Sequence, residues 1–159
     1  SNFVTQFTAG SATLNPFIAL VNAVPGLAII SEPGVNDLRL GRTEAQLLAD
    51  WQTIYGTFPG KRIAQTTLTP RATSTDSYAT VGNQTAQTDG NWSLLATLNA
   101  DIRAGLANVS YVIEAADAAM SARDSGKWTV AAGTPTTDGT HPTSAMAAAM
   151  ATNTPLTLA

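Results

Sequence analysis

Asp138 and His141 stand three positions apart near the far end of the chain, and His141 is the only histidine among 159 residues. Histidine is the side chain whose ordinary pKa lies nearest neutral pH. If the chain belongs to an enzyme, proton transfer therefore passes through this stretch. The alanine-rich residues that follow Pro142 predict a helix directly behind the pair.

Two further stretches contain residues suited to binding an oxygen anion. Gly34–Asp37 reads Gly-Val-Asn-Asp and follows a short apolar run, and Gly10 follows the first predicted strand. Glycine lets a backbone approach a substrate closely, and Asn36 offers a neutral amide donor. Since each of these residues lies after a strand or before a helix, we expect Gly10, Asn36 and His141 to meet at one edge of a sheet.

Alternating or wholly apolar segments predict the strands that position these residues. The predicted strands are Phe3–Phe7, Leu27–Ile30, Arg62–Leu68 and Ser110–Ile113. Leu27–Ile30 is apolar throughout, which is typical of a strand covered on both faces.

Helices are predicted between the strands. Asn15 with Pro16 predicts one N-terminus, and a capping box at Thr43–Gln46 predicts another. The other predicted helical segments are Asn91–Leu106, Ala115–Ala122 and Pro142–Met150. Helical spacing predicts buried faces at Phe17, Ile18, Leu20, Val21 and Val24, at Leu47, Leu48, Trp51, Ile54 and Tyr55, and at Leu94, Leu95, Leu98, Ile102 and Leu106.

The remaining segments are predicted to be turns and loops. Glu32–Asp37 has turn chemistry, Pro70–Gly90 is a long polar loop of the kind that is functional or disordered, and the tail is expected to fray. Trp128 and Tyr78 are large side chains in loops, where they either line a sugar or acyl site or plug the core. Strands that alternate with helices indicate a single α/β domain over residues 1–159 with a mainly parallel sheet.

Composition excludes several classes of function. The net charge of −3 provides no basic surface for nucleic acid, and there is no cysteine. With one histidine and no cysteine, neither a metal site nor another cofactor is expected. No apolar run approaches the roughly 18 residues of a membrane span, and the polar start predicts no signal peptide. The compartment stays open: soluble, secreted and cell-surface locations all fit.

The order of these motifs resembles that of the SGNH (GDSL-type) hydrolases over about residues 3–151. Gly34–Asp37 resembles the family block G-x-N-D, and Asp138–Pro142 resembles the last block, D-x-x-H, with its frequent following proline. Gly10 resembles the essential glycine of the second block. The resemblance implies a three-layer α/β/α sandwich with a flavodoxin-like sheet in the strand order 2-1-3-4-5.

The resemblance also implies roles for these residues. His141 would be the general base for a serine hydroxyl, and Asp138 would orient its imidazole. Gly10 and Asn36 would form part of the oxyanion hole. The activity implied is that of a serine esterase acting on small esters, lipids or O-acetylated carbohydrate, with a mild lean towards carbohydrate from the polar loops.

The first block of the family, Gly-Asp-Ser with the nucleophilic serine, is missing from these residues. The missing segment corresponds to strand 1 and its helix, which would stand between Phe3–Phe7 and Leu27–Ile30. We therefore expect a companion polypeptide, cleaved before Ser1, to supply strand 1 and the serine. The alternative is a non-catalytic domain that binds a glycan or a protein partner on the same fold.

Overall fold

The structure is a computed structural model that describes residues 14–26, 28–32, 34–154 and 156–158. The described residues form the helices α1 (Leu14–Ala23), α2 (Val35–Arg39), α3 (Glu44–Gly56), α4 (Leu95–Ala104), α5 (Ala115–Ala119) and α6 (Ser144–Asn153). They also form the strands β1 (Ala28–Ser31), β2 (Arg62–Thr66), β3 (Ala72–Ser74), β4 (Gln84–Ala86), β5 (Tyr111–Ile113) and β6 (Leu156–Leu158). None of these helices has both the length and the apolar character that crossing a membrane requires.

The main sheet has the strand order β1-β2-β5-β6. The first three strands are parallel, with Ala28 opposite Arg62 at one end of the β1–β2 register. β6 runs antiparallel to β5 and places Leu156 opposite Ile113. The expectation of a frayed tail is therefore wrong, because residues 156–158 pair with the sheet. The prediction of an α/β protein with a mainly parallel sheet is confirmed.

The core lies where α3 and α4 pack on the sheet. α3 begins at the predicted capping box, in which the Thr43 side chain accepts from the Gln46 backbone N–H and the Gln46 side chain accepts from the Thr43 N–H. α4 follows a 3₁₀ turn at Trp92–Leu94. The buried residues of α3 and α4 are Leu47, Trp51, Ile54, Tyr55, Leu95, Leu98, Asn99 and Ile102.

The prediction that α1 and β1 bury their apolar side chains is wrong for Phe17, Leu20, Val24 and Ile30, whereas Ile18 and Ile29 pack partly buried against the core. Phe17 is 55% exposed, Leu20 64% and Ile30 72%, although Val21 is buried. β1 is the end strand of the described sheet, so its side chains have one neighbouring strand, β2, to pack beside instead of two. Leu27 and the predicted strand Phe3–Phe7 lie outside the described residues.

Two segments predicted as turn or loop contain regular structure. Residues 70–90 contain the antiparallel hairpin β3–β4, in which Ala72 stands opposite Ala86. Part of the predicted turn at residues 32–37 is the start of α2. Gly34 precedes α2 at φ 122°, and a Cβ there would lie 2.9 Å from a methyl group of Leu68. A larger residue would therefore block the entry into α2.

The connection that follows β2 is held by the fully buried Asn99 of α4. The Asn99 amide oxygen accepts from the Leu68 backbone N–H at 2.6 Å, and its amide nitrogen donates to Asp124 at 2.7 Å and to the Leu68 carbonyl at 3.3 Å. Arg103, one turn further along α4, pairs with Asp124 at 2.6 Å and with Glu114 at 3.0 Å. This network joins the connections that leave the carboxyl ends of β2 and β5.

We expect Asn99→Ala to lower the free energy of unfolding by about 2 to 3 kcal/mol, because it leaves the buried N–H of Leu68 without its acceptor. Thr97→Ala changes an exposed residue of the same helix and should cost less than about 0.5 kcal/mol. Urea denaturation of both variants measures the difference. Equal losses in the two variants would contradict the role given to Asn99.

Candidate active site

Asp138 and His141 are in direct contact. The imidazole Nδ1 of His141 lies 2.7 Å from Oδ2 of Asp138. The other carboxylate oxygen, Oδ1, accepts from the backbone N–H groups of Thr140 and His141, both at 2.8 Å. The backbone thus orients the carboxylate with one oxygen and leaves the other to hold the imidazole. With Nδ1 bound in this way, Nε2 is the nitrogen available to exchange a proton.

The pair is open to solvent, with 82% of the His141 side chain and 52% of the Asp138 side chain exposed. The hydrogen bond from the His141 ring, followed by those from the two backbone N–H groups, holds the pKa of Asp138 well below its usual range. A carboxylate that stays ionised favours the tautomer with its proton on Nδ1 and stabilises the imidazolium form.

The pair lies in the site loop, which comprises residues 134–143. Its centre is the fully buried Thr136, whose hydroxyl accepts from the Gly139 N–H at 3.0 Å and donates to Asp138 at 3.2 Å. Gly139 has φ +81°. Its carbonyl accepts from the Trp128 indole N–H and from the Ala72 N–H, both at 3.0 Å. The site loop is therefore tied to two distant parts of the chain.

A small second core supports the site loop. It consists of the buried residues Ala72, Tyr78, Ala119, Trp128 and Met146. Trp128 is fully buried, so it plugs this core and does not line a site. Its backbone N–H donates to the Gln84 side chain at 2.8 Å, and its carbonyl accepts from the same side chain at 3.0 Å. The hairpin β3–β4 thus holds Trp128 in place through Gln84. The polar sequence of the hairpin did not predict this supporting role.

Asn36 is exposed on α2, just beyond the carboxyl end of β1. α2 is anchored by Asn91, whose backbone N–H donates to the Leu38 carbonyl at 3.0 Å. Asn91 and Ala72 belong to the same segment between β2 and α4, so this segment is bonded both to α2 and to the site loop. No hydrogen bond joins Asn36 to either residue of the pair, and Gly10 lies outside the described residues.

An open cleft of about 490 Å³ lies between the hairpin and the site loop. Its walls are Ser74, Thr75 and Ser77 on one side and Thr134, Thr136 and Thr137 on the other, with Tyr78 at its base. Every one of these side chains carries a hydroxyl group and none is charged. The cleft borders the pair, because the Thr136 hydroxyl bonds to Asp138.

Comparison of the sequence with models of known families found no match, and comparison with curated proteins found no similar one. Across the described ranges, no group of three or more histidine, cysteine or carboxylate residues is placed to hold a metal ion. The chemistry of the site is therefore inferred from its own geometry.

We expect Gly139→Ala to destabilise the protein by more than about 2 kcal/mol. A Cβ at residue 139 would collide with the carbonyl oxygen of Ala72 and lie 2.5 Å from the Tyr78 hydroxyl. Gly133→Ala is the matched control, because Gly133 also has a positive φ of 88° but nothing lies within 4 Å of a Cβ there. The control should cost only the left-handed backbone strain of about 1 kcal/mol. Thermal denaturation compares the two variants, and similar losses would mean that the close packing at Gly139 is unimportant.

We expect the Asp138 carboxyl to titrate below its ordinary value of 3.8. Because the pKa of Asp138 is lower in the folded state, the contact with His141 is fully present at pH values above the ordinary pKa. The contact is lost as the pH falls through the folded-state pKa. Carbon-detected NMR of the side-chain carboxyl measures the midpoint. His141→Ala should raise this pKa part of the way towards 3.8, since the backbone donors remain. A midpoint at or above 3.8 in the unmodified protein would overturn the prediction.

Proposed function

We propose that these residues form the larger part of an ester hydrolase of the SGNH type, and that its nucleophilic serine comes from outside the 159 residues. The observation that carries the proposal is the contact between His141 Nδ1 and the ionised Asp138, which leaves Nε2 open to a serine hydroxyl. Within the described part of the chain, no serine hydroxyl is hydrogen-bonded to the His141 ring, whose side chain is 82% exposed.

The proposed reaction is acyl transfer to water in two halves. His141 Nε2 takes the proton of the serine hydroxyl as the serine oxygen attacks the ester carbonyl carbon, and it then gives that proton to the departing alcohol. In the second half, Nε2 takes a proton from the water that attacks the acyl-enzyme carbonyl, and it returns that proton to the serine oxygen as the bond between serine and the acyl group breaks and the acid leaves. Asp138 keeps the imidazole in the required tautomer and stabilises its positive charge in both halves.

The oxyanion of each tetrahedral intermediate needs preorganised donors. In the proposed enzyme these are the Asn36 side-chain amide, the Gly10 backbone N–H and the N–H of the serine itself. Support for Asn36 comes from the anchoring of α2 through Asn91 and through the close packing of Gly34 on Leu68. An anchored donor does not have to reorganise as charge develops.

The missing segment would join the edge of β1 that has no partner strand among the described residues. A parallel strand added there would extend the sheet towards the flavodoxin-like order and three-layer arrangement that the motifs imply. It would also cover Ile30, which is 72% exposed, and its helix would find apolar partners in Phe17 and Leu20 of α1. Burial of these side chains would contribute about 1.5 to 3 kcal/mol each. The segment can belong to a companion polypeptide or to another part of a longer chain.

A second candidate function is a non-catalytic domain that binds a glycan. The hydroxyl-lined cleft beside the site loop favours it, because that cleft could hold a sugar without any reaction. The two functions differ in one respect: only the hydrolase needs a serine opposite His141.

The test uses the protein expressed from its complete gene and treated with a serine-directed fluorophosphonate. We expect one serine within a Gly-Asp-Ser sequence to be labelled, and intact mass measurement shows whether it lies on the same polypeptide or on a companion. His141→Ala should abolish the label and lower kcat/KM for p-nitrophenyl acetate by about 10⁴-fold or more. Asn36→Ala should lower turnover by about 100- to 1,000-fold.

Thr97→Val, on the exposed face of α4, serves as the control and should leave both measurements unchanged. The absence of any labelled serine, or labelling that persists in His141→Ala, would remove the hydrolase and favour the glycan-binding domain.

A further inference from the structure

We propose that the cleft between the hairpin and the site loop binds the sugar ring of an acylated carbohydrate, so that the ester lies at His141. The acylated carbohydrate would be the substrate of the ester hydrolase, so the assignment rests on that proposed function. The volume of about 490 Å³ falls within the range of roughly 300 to 1,000 Å³ that is typical of small-molecule sites. It is large enough for a mono- or disaccharide.

The hydroxyl groups of the cleft fall into two sets. The hydroxyl groups of Ser74 and Thr136 already make hydrogen bonds within the protein. Ser74 donates to Asp76 at 2.7 Å and accepts from the Tyr78 N–H at 2.9 Å, and Thr136 bonds within the site loop. The second set is exposed and makes no side-chain hydrogen bond among the described residues. It comprises Thr75, Ser77, Thr134 and Thr137.

The second set matches the chemistry of a sugar. Each of its hydroxyl groups can donate one hydrogen bond and accept two, and a sugar ring presents hydroxyl groups with the same double character. Two of the set lie on the hairpin and two on the site loop, so a ring placed between them meets partners on both sides. A fatty acyl chain would need an apolar lining, and an anion would need arginine, lysine or several N–H donors. None of the lining side chains is charged.

The shape of the cleft is held by buried and bonded groups. Asp76, behind the hairpin wall, accepts from Ser74 and Thr80 at 2.7 Å and from Asn83 at 3.0 Å. Ser77 and Tyr78 have left-handed backbone conformations, with φ 55° and 64°. Such conformations persist where the surrounding structure fixes them, and they are frequent at ligand sites. The hairpin wall is fixed in this way, and the site-loop wall is fixed by the bonds of Thr136 and Gly139.

The first measurement is binding, which does not depend on catalysis. Saturation-transfer difference NMR is recorded on the protein from its complete gene with a mixture of partially acetylated mono- and disaccharides of glucose, galactose, xylose and N-acetylglucosamine. We expect sugar signals in the unmodified protein. The double variant Thr75→Val with Thr137→Val removes one hydroxyl from each wall and keeps the shape of the side chains, and it should weaken binding about 10-fold. Thr97→Val is the matched control.

The second measurement is the ratio of kcat/KM for an acetylated sugar to kcat/KM for p-nitrophenyl acetate, which should fall about 10-fold in the double variant and stay constant in Thr97→Val. Circular dichroism checks that each variant is folded. If sugars do not bind, or bind equally to the double variant, the cleft assignment is wrong even where hydrolysis that depends on His141 is present. If sugars bind through the cleft and no ester is hydrolysed, the hydrolase proposal fails and the sugar site stands.

Discussion

The close approach of Gly139 to Ala72 is the contact on which the rest of the site depends. The carbonyl of Gly139 accepts from two buried donors, the Ala72 N–H and the Trp128 indole N–H. Its Cα stands so near the Ala72 carbonyl that no side chain fits, and its φ of +81° is one that glycine adopts without strain. This single residue therefore joins the site loop to the hairpin and to the second core.

The connection explains how an exposed pair of residues can be rigidly placed. His141 and Asp138 make no large buried surface of their own, and in water an isolated surface ion pair contributes little to stability. The support comes from buried residues under the site loop. Thr136 and Trp128 are fully buried and hydrogen-bonded, and the Gln84 side chain bonds to both the backbone N–H and the carbonyl of Trp128. The backbone N–H groups of the site loop then fix the carboxylate, and the carboxylate fixes the ring. In this way, the packed interior fixes the position of an imidazole that is exposed to solvent.

The sequence predicted those features whose causes are local. α3 begins directly after its N-cap, Thr43, because the capping box lies within four residues, and Asp138 reaches His141 because the two are only three positions apart. The hairpin escaped prediction because its strands are short and polar and are held by pairing with each other and by the bond between Gln84 and Trp128. The need for glycine at residue 139 could not be predicted either, because the atom that excludes a side chain there is the carbonyl oxygen of Ala72, which is far away in sequence. The prediction that Phe17 and Ile30 are buried is wrong for a related reason. Burial depends on which residues pack against a side chain, and the local sequence pattern does not contain those residues.

The structure positions His141 and Asp138 independently of the edge of the sheet at β1, and this independence fits the proposal of a separately supplied nucleophile. The connections beyond β2 and β5 are joined by Asn99 and Arg103, and the site loop is joined to the β2 connection through Ala72. Neither joint uses β1 or α1, so His141 and Asp138 are positioned without the sheet edge at which the serine segment of the proposed enzyme would dock. In the proposed enzyme, docking at Ile30 therefore has to order only the nucleophile, because the contact with Asp138 already orients the imidazole. Preorganisation of one half of the catalytic machinery lowers the entropic cost of assembling the whole.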